Sequence, residues 1–293
     1  MKYRVTHRTD YVYSAPVALG YNEAHLTPRG DLGRQRVLSH RVEVDPPPAY
    51  TSRRLDFFGN EIFYFTLQRP HSRLTVTAVS EVERFGDEPE LYLASGMSWE
   101  EVVAATAADP SPEGLDARAY LLDSPLIEPS PDVVAYAAES FKPGRGFSQA
   151  VGDFIQRIHR EFAFDPAATN VSTPVSKVFE ARRGVCQDFA HLAITGLRGL
   201  GVAARYVSGY LETLPPPGQA KLVGSDASHA WVAVFEPGGG WREYDPTNDI
   251  TPSQPHIVTA IGRDYTDISP IRGVVFGGGG TQKTKVAVDV ERI

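Results

Sequence analysis

Over residues 1–85 apolar and polar side chains alternate with a period of two, as at Tyr3, Val5 and His7 and again at Leu74, Val76, Ala78, Ser80 and Val82. That period predicts strands with one face buried. Phe57-Phe58-Gly59-Asn60 followed by IFYFTL carries a hairpin signal. Pro46, Pro47 and Pro48 end a strand, because proline has no N–H to give to a ladder. The pattern reads as an antiparallel β-sandwich.

From about Ser98 the period lengthens. Ser98 and Glu101 have the spacing of a capping box, and WEEVVAATAA after them predicts a helix. Ser130 and Pro131 stand as N-cap and first residue of another helix, and Val151, Phe154, Ile155, Ile158 and Phe162 trace an apolar stripe at helical spacing. Thr173 and Pro174 open a short helix that Gly184 is expected to stop. Beyond Gly201, residues 203–212, 228–235 and 240–245 read as strands, with an irregular proline-bearing loop at Leu214–Gly218 and a flexible one at 277–280. The fold class is α+β. An N-terminal β-domain spans 1–85, a helical connecting segment 86–146 and a catalytic core 147–270; a Gly-rich loop and a closing strand, VAVDVERI, occupy 271–293.

Charge and cysteine content narrow the function. The net charge is −7, and residues 86–146 hold twelve acidic against three basic side chains, a solvated acidic face rather than a nucleic-acid surface. MKYRVTHRTDY lacks an apolar signal region and nowhere do eighteen apolar residues run together, so a cytoplasmic protein without a membrane partner is expected. Cys186 is the only cysteine, which excludes an internal disulfide and any multi-cysteine metal site. No cofactor is expected, and oligomeric state is not encoded in any pattern of the chain.

Cys186 opens a segment whose apolar residues Phe189, Leu192, Ala193, Leu197 and Leu200 share one helical face. A thiol at a helix N-terminus meets unpaired amides and the positive end of the dipole, which favour thiolate, although a lone cysteine is equally a small buried hydrophobe. Ser228–Phe235 and Gly240–Asp245 then read as a hairpin. With residues 236–238 as its loop, His229 stands directly opposite Asp245, at a separation that suits an imidazole–carboxylate bond. Cysteine, histidine and carboxylate in this relation are a nucleophile, its base and the group that orients the base, and the Cys186 N–H is placed to donate to an oxyanion. Gln187, Asp188, Tyr206 and Trp231 are candidates for the cleft wall or for supporting positions; Asp188 in a first helical turn also simply complements the dipole. His191, about 140° around the helix from Cys186, is read as structural. Glu243 and Asp249 are the reserve carboxylates. Cys186, His229 and Asp245 also suit zinc by ligand type, but the pattern is read as catalytic and no metal is expected.

GVCQDFAHL at 184–192, SHAWVAVF at 228–235 and GWREYDPTN at 240–248 resemble the three motifs of the bacterial transglutaminase-like superfamily. YRVTHRTDYVYSAPV at 3–17 with AHLTPR at 24–29 resembles the N-terminal region that precedes its core in many bacterial members. The resemblance implies a papain-like core, a Cys-bearing helix packed on an antiparallel sheet, with Cys186, His229 and Asp245 catalytic. The sequences around caspase and papain cysteines, QAC and CGSC, are absent here. The tryptophan that supports the oxyanion in eukaryotic transglutaminases has no counterpart, since the only tryptophan before Cys186 is Trp99. The expected function is a cysteine peptidase, isopeptidase or amidase that acts on a peptide or protein amide through a thioester. The alternatives are acyl transfer to an amine and a catalytically silent binding or assembly module.

Overall fold

Strand β1 (Lys2–Val17) buries Tyr3, Val5, His7 and Thr9 on one face, as its alternation predicts. It is followed by β2 (Leu19–Ala24), β3 (Gln35–Asp45), β4 (Tyr50–Leu55), β5 (Glu61–Leu67) and β6 (His71–Arg84). The computed structural model describes residues 1–85, 96–212, 227–253, 255–278 and 280–293. The loop expected at 214–218 and the boundary after residue 85 lie outside the described residues. Gly59, at φ +77°, turns the chain between β4 and β5, where the hairpin was expected.

The helical part follows with α1 (Trp99–Ala108), α2 (Pro112–Ala119), α3 (Pro131–Ala138) and α4 (Phe147–Glu161). The Ser98–Glu101 capping box is closed from both sides. A short parallel pair, β7 (Ala163–Phe164) with β8 (Arg183–Gly184), brackets α5 (Val175–Ala181). That helix stops at Arg182, not at Gly184. Arg182 takes a left-handed conformation, φ 52°, while its guanidinium lies over the rings of Tyr136, Phe162 and Phe179 at 4.3–4.8 Å, a contact that offsets the backbone cost.

The core is completed by α6 (Cys186–Gly199), β9 (Ala204–Leu211), β10 (Ala227–Glu236), β11 (Gly240–Tyr244) and β12 (His256–Gly262). Its antiparallel sheet runs β11-β10-β9-β12. Phe189, Leu192, Ala193, Ile194 and Leu197 of α6 pack on Ala204, Ala230, Val232 and Val234 on one face of this sheet. On the other face, Val207, Trp231, Ala233, Val258 and Ile261 meet Leu32 and Phe58 of the N-terminal domain. No described helix is long and apolar enough to cross a membrane.

The C-terminal residues return to the start of the chain. Strand β13 (Ile271–Phe276) extends the sheet β13-β2-β5-β4, and β14 (Gln282–Arg292) extends β14-β1-β6-β3. Residues of both sheets, among them Ala24, Phe65, Leu74 and Val76, share one apolar cluster. The N-terminal unit is therefore finished only when the last residues are in place.

Strand β12 is the outer strand of the core sheet, and two side-chain amides from the N-terminal domain, with the Arg29 main chain, cover its edge. Gln35 donates from Nε2 to the Val258 carbonyl at 2.7 Å and accepts the Val258 N–H at 2.9 Å. Asn60 makes the same two bonds with Ile261, at 2.8 and 2.9 Å. Each primary amide acts as one residue of a missing strand and pairs buried backbone groups, and the Val258 carbonyl also accepts the Arg29 N–H at 3.0 Å. Asn60→Leu leaves both Ile261 groups buried and unpaired, and is expected to cost roughly 2–5 kcal/mol in equilibrium urea unfolding. A loss below about 1 kcal/mol would show that these bonds do not tie the two domains.

Candidate active site

Cys186 is the first residue of α6, half-buried, with Val185 as N-cap. Its N–H belongs to the first helical turn, which has no intrahelical acceptors, and the positive end of the helix dipole lies at the sulfur. The turn is tightened by Asp188, whose Oδ2 accepts the Val185 N–H at 2.8 Å and the Thr169 hydroxyl at 2.6 Å. Gly184 makes room for this arrangement: a Cβ there would stand 2.6 Å from Asp188 Oδ2. Burial raises the Asp188 carboxyl above its ordinary range, against the pull of the Thr169 and Val185 bonds. Asp188 thus holds the helix start in shape. Gln187 donates to the Val171 carbonyl at 3.1 Å and ties down the preceding loop.

His229 lies near the start of β10. The hairpin register differs from the expected one: Glu236 pairs with Gly240, so the loop is residues 237–239 and the ladder runs on to Val232 opposite Tyr244. Gly238 and Gly240 both have positive φ, and Gly239 donates to the Glu236 carbonyl. Extending the ladder sets Asp245 across from Trp231, one diagonal step from His229. A shift by two residues keeps both side chains on the expected face. Asp245 leaves the ladder to pair with Ile250, and its Oδ2 reaches His229 Nε2 at 2.7 Å.

Asp245 is fully buried, and its carboxylate accepts five hydrogen bonds among the described residues. Oδ1 takes the N–H groups of Thr247 and Asn248, the turn that an Asp-Pro sequence favours. Oδ2 takes His229 Nε2, Asn248 Nδ2 at 2.7 Å and His256 Nε2 at 3.2 Å. The tautomer of His256 follows from its other side. Its Nδ1 lies 3.4 Å from the Ser253 N–H, which can only donate, so the ring proton is on Nε2 and points at Asp245. Burial opposes the charge on Asp245, yet the bonds from His229, His256 and Asn248 hold its carboxyl well below the ordinary carboxylate range. Burial also opposes the charge on His229, but Asp245 and the hydrogen bond with Cys186 outweigh it and raise the imidazole to about 10. With Nε2 given to Asp245, Nδ1 is the nitrogen left for the thiol.

The structure thus brings Cys186, His229 and Asp245 into one line of contacts. Trp231, also singled out in the sequence, forms a buried floor: its ring lies 5.8 Å from that of His229 and 5.2 Å edge-on from that of His256, and its Nε1 donates to Glu243 at 3.0 Å. Gly209 stands opposite His229 on β9, where a Cβ would meet Trp231 and the Ile257 carbonyl. Tyr206 packs beside His191, and burial together with the nearby Cys186 pushes its phenol well up, so it remains an O–H. His191 lies outside the site: its Nε2 accepts the Tyr265 N–H, and burial lowers it to about 4. Of the reserve carboxylates, Glu243 holds Trp231 and Asp249 accepts from Gln156. His229, Asp245 and His256 could hold a metal by ligand type. Their separations of 2.7 and 3.2 Å are those of hydrogen bonds, and the carboxylate lone pairs are already taken by five donors. Sequence reasoning missed His256 and the part played by Asn248; the second sits in the quoted DPTN motif, whereas the first only heads an apolar run.

Comparison with known proteins agrees with this architecture. Residues 3–83 match the bacterial transglutaminase-like N-terminal region, and residues 135–246 match the transglutaminase-like superfamily. An uncharacterized protein of Mycobacterium tuberculosis, Rv2569c, is 43% identical over 99% of this chain and 92% of its own length. A protein-glutamine gamma-glutamyltransferase of Pseudomonas aeruginosa is 35% identical over 36% of this chain but only 16% of its own. Among solved structures, a proposed cysteine protease from Cytophaga hutchinsonii superposes with a TM-score of 0.76, covering 99% of this chain and 90% of its own at 20% identity, a likeness of fold.

The His229 shift has a sign that unfolding can read. A group raised from 6.5 to about 10 contributes stability in full below 6.5 and loses it as pH climbs toward 10. The stability difference between the parent protein and His229→Gln is therefore expected to shrink steadily between pH 6.5 and 10 in urea unfolding. On the acid side, the depressed Asp245 loses its contribution as pH falls below its ordinary 3.8. A difference that stays flat from pH 6.5 to 10 would mean that His229 is not held as imidazolium.

Proposed function

Because the chain belongs to the transglutaminase-like superfamily, we propose that it is a cysteine-dependent enzyme that hydrolyses an amide bond of a peptide or protein through a thioester. The observation that carries this reading is the single line from Cys186, at a helix N-terminus, through His229 to the buried Asp245. The Cys186 thiolate attacks the amide carbonyl carbon, and the oxygen takes the negative charge beside the Cys186 N–H. Imidazolium at His229 then gives its proton to the leaving amine as the C–N bond breaks. In the second half, neutral His229 takes a proton from water, whose oxygen attacks the thioester and releases the acid and the thiolate. Asp245 keeps the imidazole oriented and stabilises its charged form throughout.

Transfer of the acyl group to a primary amine uses the same groups, with the amine in place of water. The similarity to the Pseudomonas aeruginosa gamma-glutamyltransferase favours testing it beside hydrolysis. A screen of fluorogenic amides and glutamine peptides, with and without a labelled primary amine, separates the two, since retained label reports transfer.

Cys186→Ala is expected to lower turnover of any amide found in that screen by roughly ten-thousandfold or more, to the residual level left by the remaining site. Asp245→Asn keeps the shape but can present the wrong imidazole tautomer to Cys186, with a loss approaching roughly ten-thousandfold in kcat. The double variant should be little worse than Cys186→Ala alone, because residues that act as a unit are not additive. Losses that multiply would remove Asp245 from the catalytic unit.

A further inference from the structure

The cleft at Cys186 has a volume of about 320 Å³ and is lined by Phe164 and Leu211 together with the polar Ser228, Thr247 and Asn248. Apart from Cys186 and His229 themselves, no described residue that lines it is ionisable. Phe164 is 57% exposed and makes no ring contact among the described residues, whereas Phe162, two positions earlier, is buried between Phe179 and Phe189. Singly exposed rings such as Phe57 are ordinary, but Phe164 lies on the wall of the Cys186 cleft, where apolar surface that becomes covered on binding contributes roughly 25 cal/mol per Å².

The position of Phe164 is not free. It pairs with Gly184 across the β7–β8 bridge, and the flanking Ala163 and Asp165 amides donate to the Arg182 and Gly184 carbonyls, both at 2.9 Å. Gly184 is two residues from Cys186, and the residue between them, Val185, is tied through its N–H to Asp188 Oδ2. The ring is therefore carried at a set offset from the sulfur by main-chain bonds. Phe164 and Cys186 line the same cleft.

We propose that Phe164 and Leu211 form a subsite that receives an uncharged, apolar side chain of the acyl donor, next to the carbonyl that Cys186 attacks. The inference rests on Cys186 being the nucleophile. A leucine-like side chain covers the exposed face of Phe164 and releases water from both surfaces. A carboxylate or ammonium in the same place gives up hydration against two apolar walls with no counter-charge on the described lining. The selection thus works on side-chain polarity and leaves open whether water or an amine takes the acyl group.

Alkylation rates test this without a known substrate. N-acetyl chloromethyl ketones of leucine, glutamate and lysine each place one side chain beside the reacting carbon, and the Cys186 thiolate displaces chloride to leave a thioether that mass spectrometry locates. Iodoacetamide, with no side chain, measures the intrinsic reactivity of Cys186, so each rate is divided by the iodoacetamide rate of the same protein. The leucine reagent is expected to exceed both charged reagents by about tenfold or more. In Phe164→Ser that ratio should fall about tenfold, whereas Phe164→Leu should keep the preference. Phe164→Arg should favour the glutamate reagent. Equal normalised rates for the three reagents, or an unchanged leucine ratio in Phe164→Ser, would overturn the subsite while leaving the nucleophile intact. Iodoacetamide reacting no faster than with a free cysteine peptide at pH 6.5 would overturn the nucleophile and the subsite together.

Discussion

A fully buried carboxylate, Asp245, is the point on which the candidate site is built. A charge withdrawn from water survives only where the protein replaces its hydration, and an unpaired one costs several kcal/mol. Here five donors do so, from β10, from the turn that follows Asp245 and from the head of β12. Three separate segments must therefore be in register before the carboxylate is satisfied. Once it is, His229 has a fixed ring orientation, its free nitrogen is aimed at Cys186 and its protonated form is favoured. The geometry of the base is a consequence of solvating its partner.

The support extends further than the three side chains. His256 stands at the start of β12, and β12 is an edge strand whose outward N–H and C=O groups are taken by Gln35 and Asn60 of the N-terminal domain. Behind the same sheet, Leu32 and Phe58 pack against the cluster that contains Trp231. The N-terminal sheets are in turn completed by β13 and β14 from the far end of the chain. A continuous path of hydrogen bonds and packed side chains thus leads from the N-terminal domain through β12 to Asp245. On the nucleophile side the support is local. Thr169, Asp188 and Gly184 shape the first turn of α6 within twenty residues of sequence, and the same stretch of main chain positions Phe164.

Much of this was legible in the chain because the physics behind it is local. Cys186 at the head of an apolar helical stripe, the alternation that puts His229 and Asp245 on one face, and the Ser98–Glu101 cap each depend on residues a few positions apart. The side-chain period of a strand also explains why an error in the hairpin loop did no harm to the pairing: a two-residue slip preserves the face and turns a direct contact into a diagonal one. The glycine run at 238–240 permits several turns at similar cost, so nothing in it selects the loop 237–239. That choice follows from ladder contacts such as Phe235 with Trp241 and the Arg242–Glu236 ion pair.

What stayed hidden are the features created by distant partners. Strand β12 is buried on both faces, so His-Ile-Val-Thr-Ala-Ile-Gly shows no alternation, and its leading histidine looks like any other. Gln35 and Asn60 are ordinary amides until an edge strand more than two hundred residues away needs a donor and an acceptor at one place. Strand β13 is likewise defined by its neighbour β2 near the start of the chain, and although a closing strand at VAVDVERI was legible, its pairing with β1 was not. The sequence by itself determined the chemical groups, the helix that carries the thiol and the face shared by His229 and Asp245, because periodicity and chain geometry act over a few residues. Tertiary structure alone decided which segments solvate Asp245 and what seals the edge of β12, because a buried polar group takes its partner from whatever the packed fold brings within three ångströms.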